Sequence, residues 1–84
     1  MFFAETLGPA LTTASGDALF VYLRNKLGAS TTGEALRAAT GDFLRLDGSR
    51  VGVDQALLYL LRRGFIARQS ETTFRIIDPR RDAA

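Results

Sequence analysis

Apolar residues recur along this chain with two different periods, and the change from one to the other near residue 64 separates a helical part from a β part. Leu19, Phe20, Leu23 and Leu27 fall on one face at about 100° per residue, which predicts a first helix capped by Ser15 or Asp17 and stopped by Gly28. Val21, Tyr22 and Asn25 point away from that face. Thr31 with Glu34 three residues later has the form of a capping box, which predicts a second, brief helix from Glu34 to Thr40 ended by Gly41. The run from Gly41 to Ser49 reads equally as a single turn or as a short strand entering an Asp47-Gly48 turn.

The third helix, Arg50 to Arg63, carries the clearest pattern. Val53, Ala56, Leu57 and Leu60 stand at i, i+3, i+4 and i+7, the buried stripe of an amphipathic helix, and Gly64 supplies its stop. Phe65 to Gln69 and Thr73 to Ile77 are then β-prone runs joined by the polar tip Ser70-Glu71-Thr72, a hairpin pattern. Ahead of the first helix, Phe2, Phe3, Leu7 and Leu11 surround a Gly8-Pro9 break and read as an apolar N-terminal arm; Pro79 to Ala84 reads as a frayed tail. The expected division is an arm over 1–14, a domain over 15–78 and a tail over 79–84.

At 84 residues the chain has room for one core, and its 46% apolar and 24% charged residues are those of a folding sequence. Cysteine and histidine are both absent, which removes thiolate zinc sites, disulfides and the commonest general bases. No base accompanies Ser15, Ser30, Ser49 or Ser70, and no phosphate-cradling glycine motif occurs, so a binding role without catalytic residues, cofactor or metal is expected. No apolar run approaches the roughly 20 residues that span a bilayer. The opening Met-Phe-Phe-Ala-Glu lacks the basic start of a secretory signal, and a cytoplasmic location is the expectation.

Charge adds one feature. Met1 to Leu44 holds three basic and four acidic residues, whereas Arg45 onward holds eight basic and five acidic, and all eight cations are arginine. Arginine suits phosphate or carboxylate recognition through its planar fork, although a general compositional bias gives the same count.

The stretch Val53-Asp-Gln-Ala-Leu-Leu-Tyr-Leu-Leu-Arg-Arg-Gly-Phe-Ile66 resembles the recognition helix and wing entry of the winged helix-turn-helix superfamily, with Val53, Ala56, Leu57, Leu60, Gly64, Phe65 and Ile66 at the matching places. The likeness extends from about Asp17 to Ile77. It departs from the family in the long stretch Gly41 to Ser49 between the second and third helices, and in Arg37, where alanine is usual. The resemblance implies an α+β fold of three helices plus a C-terminal hairpin, here with an apolar N-terminal arm. It also implies a transcription regulator-like protein that binds double-stranded DNA with its third helix in the major groove and its wing on the backbone.

Under that reading Arg50, Gln55, Tyr59, Arg62, Arg68 and Arg75 form the DNA surface: Gln55 would read adenine, and the arginines, with Arg63 beside them, would hold phosphates or guanine. Most charge clusters are solvated faces, and Arg62 and Arg63 also suit a helix C-terminus through the macrodipole. Opposite the buried stripe lie Val51, Gln55, Leu58 and Arg62 at i, i+4, i+7 and i+11, the spacing of a helix seam. That spacing supports the alternative of a winged-helix adaptor whose third helix binds a protein. Phe2, Phe3, Leu7, Leu11, Tyr22 and Leu58 are the interface candidates, with a homodimer formed through the arm or first helix as the expected assembly; the arm folding back over Leu58 and Tyr59 is the other way to absorb them.

Overall fold

The structure, a computed structural model, describes residues 11–78. The elements run α1 (Thr13–Leu27), β1 (Ser30–Thr32), α2 (Gly33–Asp47), α3 (Val53–Arg63), β2 (Ile66–Arg68) and β3 (Thr73–Ile76). Among the described residues, three helices and a three-stranded antiparallel sheet of order β1-β3-β2 make an α+β layout compatible with a winged helix. Phe2, Phe3, Leu7 and the 79–84 tail lie outside the described residues.

The first two helices begin at different caps from those the sequence suggested. Thr12, not Ser15 or Asp17, caps α1: its hydroxyl accepts from Ser15 N at 3.1 Å, so the helix starts inside the stretch expected to be arm. Thr32, the last residue of β1, and not Thr31, caps α2, its hydroxyl accepting from Ala35 N at 3.1 Å. Thr32→Ala should cost about 1 kcal/mol in a urea melt, since the α2 N-terminus loses its side-chain acceptor.

The largest difference concerns α2, which runs through Gly41 to Asp47 and ends at Gly48 in the left-handed region, φ 70°. A glycine inside a helix costs about 1 kcal/mol against alanine, and burial of Leu44 one turn beyond Gly41 outweighs that. The segment that read as turn or strand is therefore helix. The link between α2 and α3 is therefore Gly48–Gly52, shorter than the Gly41 to Ser49 stretch read from the sequence. Arg37 sits exposed at the margin of the α2 and α3 contact, where its guanidinium donates to Asp54 of α3 at 2.7 Å. Such an exposed pair adds at most about 1 kcal/mol.

Strand β1 had no counterpart among the elements expected from the sequence. It pairs with β3 through Ser30↔Arg75, Thr31↔Phe74 and Thr32↔Thr73, so the hairpin's second strand becomes the centre of the sheet. Ile76 N donates to Ala29 O at 2.9 Å and Gly33 N to Thr72 O at 2.9 Å, which ties the start of α2 to the hairpin. The hairpin itself follows the predicted runs, with Ser70 Oγ accepting from Thr72 N and Thr73 N to close its tip.

The helices and sheet enclose one core in which Leu19, Leu23, Leu36, Leu60 and Ile76 are fully buried, and Phe20 stacks on Phe65 with ring centroids 4.6 Å apart. Ala56 and Leu60 of the predicted α3 stripe are buried, with Val53 and Leu57 packed against the same core. Gly64 closes α3 at φ 78° and its successor Phe65 donates to Leu60 O at 2.9 Å, turning the chain directly into β2. Among the described residues no helix is long and apolar enough to cross a membrane.

Candidate nucleic-acid interface

A helix that buries one stripe must present the opposite side, and the core stripe of α3 leaves Leu58 and Arg62 exposed and Gln55 half-buried on its outward side. Asp54 and Leu61 flank that side towards α2, and Tyr59 and Arg63 flank it towards α1. Val51 does not belong to it. Ser49 Oγ accepts from Val51 N at 3.1 Å and turns the linker inward, so Val51 is only 7% exposed and joins the core, correcting its place in the outward seam.

Tyr59 also leaves the proposed DNA surface. Its ring lies over Gly16 of α1, so closely that a Cβ at Gly16 would fall 2.2 Å from Tyr59 Cε1, and its hydroxyl is enclosed without a hydrogen-bond partner among the described residues. The sequence carried a trace of this contact, since a glycine inside an amphipathic helix marks a close approach, but nothing in it named the neighbour. Gln55 shares a shallow depression with Leu11, Leu58, Tyr59 and Arg62 on the same flank. Leu11 is itself buried at 9% exposure, so its side chain is committed to the monomer's core. Tyr22, the other interface candidate on the described chain, is half-buried against Phe43 at 5.5 Å and has the Lys26 ammonium 5.5 Å from its ring centre. Leu58 alone of the described interface candidates is an exposed apolar residue, at 42%.

The register of the hairpin divides the arginines expected to act together. Arg68 pairs with Phe74, whereas Arg75 pairs with Ala67 on β2 and Ser30 on β1. Successive residues of a strand alternate faces, so Arg68 belongs to the face of Ile66, Phe74 and Ile76 that meets the helices, and Arg75 to the outer face. Arg68 lies over the Phe74 ring, its Cζ 5.5 Å from the centroid, and Phe74 in turn borders Leu57 and Leu61 of α3. Arg68 therefore flanks α3 while Arg75 faces away.

Arg50 precedes α3 and Arg62 occupies its last turn, near the two ends of a helix about 16 Å long at 1.5 Å per residue. Arg63 points to the α1 side, with its Cζ 5.9 Å from both the Tyr59 and the Phe65 ring centres. The ion pairs among the described residues are Arg37 with Asp54 and Arg45 with Asp42. Arg50, Arg62 and Arg68 thus keep their charge uncompensated among the described residues, two along α3 and one on β2.

No family model, no curated protein and no solved structure matches this chain.

Proposed function

We propose that this chain is a winged-helix domain of the regulatory kind that binds double-stranded DNA through the outward side of α3 and the adjoining face of the hairpin. The observation that supports it is the placement of Arg50, Arg62 and Arg68 around α3 with no carboxylate paired to them among the described residues. Phosphate binding needs cations that are not already neutralised, and their number sets both affinity and its salt dependence. Gln55 is the side chain of α3 suited to read a base edge, and Arg62 can take either a phosphate or a guanine. Tyr59, Val51 and Arg75 have no part in this surface.

The test is a fluorescence-anisotropy titration of a random-sequence duplex at several salt concentrations. Three phosphate contacts give a slope of log affinity against log salt of about −2.7, at about 0.9 per contact. Arg68→Ala should flatten it by about one contact, while Arg75→Ala leaves it unchanged because Arg75 is on the opposite face of the sheet. Equal effects of the two substitutions, or no binding at low salt, would overturn the reading.

Exposed Leu58 favours a second reading, in which the outward side of α3 is the contact surface of an adaptor or of a homodimer. Leu58→Ala separates the two. It should change duplex affinity little, since leucine offers no hydrogen bond to a base, but weaken a protein complex about tenfold or more.

A further inference from the structure

The α2-side flank of α3 opens into a slot of about 160 Å³, floored by Gly33 and lined by Leu36, Leu57, Leu61, Ile66 and Phe74, with Arg37 at its rim. Its walls are almost wholly carbon. An apolar cavity of about this volume takes up a benzene-sized ring. Gly33 shapes the floor: a Cβ there would stand 3.1 Å from Phe74 Cε1, so the absence of a side chain lets the ring lie where it does.

Single exposed leucines are ordinary on protein surfaces, but Leu61 at 46% and Leu58 at 42% are one turn apart and continue the apolar strip from the slot onto the surface. Charge limits what fits beside it. Arg37 is already engaged by Asp54, whereas Arg68 stands over Phe74 at the slot's edge with no carboxylate paired to it among the described residues. Glu34 and Glu71 line a different depression that also borders Phe74, on the side of the hairpin tip.

We propose that this slot docks a segment of a protein partner that inserts one large apolar side chain and places a carboxylate over Arg68. The apolar group displaces water from Leu57, Leu61 and Phe74, and the acid pairs with a guanidinium already oriented by the ring beneath it. The proposal does not rest on DNA binding. The two surfaces share Arg68, whereas Leu61 lies on the flank of α3 and takes no part in the proposed duplex surface, so Leu61→Ala tells the failure of one from the failure of the other.

The experiment titrates ¹⁵N-labelled protein with a capped helical peptide bearing Leu and Phe on one face and Glu at the edge of that same face, and with the same peptide bearing Lys in place of Glu. Binding of the Glu peptide should shift the amides of Gly33, Leu57, Leu61 and Phe74. Leu61→Ala should weaken it about fivefold, as loss of a half-exposed leucine contact implies, while leaving duplex affinity within about twofold. Arg68→Ala should remove the preference for the Glu peptide over the Lys peptide. Equal affinity for the two peptides, shifts confined to the exposed apolar residues away from the slot, Val21 of α1 and Leu46 of α2, or slot shifts that follow protein concentration without peptide would each overturn the proposal, the last by making a second copy the occupant.

Discussion

Leu60→Ala is expected to lower the unfolding free energy by about 2–5 kcal/mol, read as a reduced midpoint in urea with little change in slope. Leu60 is fully buried at the centre of α3, and its carbonyl accepts from Phe65 N where the helix turns into β2. Truncation removes its side chain from a core shared by α1, α2 and the sheet, and the surrounding leucines can close over the void only in part. A chain of 84 residues has about 4–12 kcal/mol of stability in all, at roughly 0.05–0.15 kcal/mol per residue. The loss is therefore a large share of the total, and at the lower end of that range it leaves the variant partly unfolded. Leu61→Ala, one position along, should stay within about 0.5 kcal/mol of the parent, because that side chain is nearly half exposed. Equal losses at the two positions would show that the stripe assigned to the core is wrong.

Gly16→Ala and Gly41→Ala should act in opposite directions although both replace a glycine inside a helix. At Gly16 the added methyl meets the Tyr59 ring at 2.2 to 2.7 Å, and overpacking of this kind costs about 1–3 kcal/mol even after the gain in helix propensity. At Gly41 the nearest atom is Val53 Cγ2 at 3.6 Å, an ordinary contact, so the full propensity gain of about 0.5–1 kcal/mol should appear as added stability. A double-mutant cycle isolates the cause: in a Tyr59→Ala background Gly16→Ala should no longer destabilise, whereas the effect of Gly41→Ala should be unchanged. Thermal or urea unfolding of the four variants and their parents reads the result. Persistence of the Gly16 penalty without Tyr59 would place the clash elsewhere.

These substitutions also mark the line between what the sequence by itself determined and what the tertiary structure decided. The α3 stripe of Val53, Ala56, Leu57 and Leu60, the stop at Gly64 and the two strands of the hairpin were legible because they depend on neighbours in the chain: a helical period, a left-handed glycine and a polar tip between β-prone runs. The exposed Leu58 and Arg62 followed from the same period.

Other features depended on partners distant in sequence. Gly41 had the local form of a stop, but burial of Leu44 beyond it outweighed the glycine's cost and carried α2 on to Gly48. Ser30–Thr32 became a strand only because β3 offered an edge, since an isolated three-residue strand has nothing to pair with. Val51 moved from the surface to the core through the bend at Ser49, and Tyr59 from the outward side of α3 to the back of Gly16. The parting of Arg68 from Arg75 turned on register alone. Side chains alternate with a period of two, so the pairing of Arg68 with Phe74 sends Arg75 to the far side of the sheet, and no composition or charge count could have fixed that.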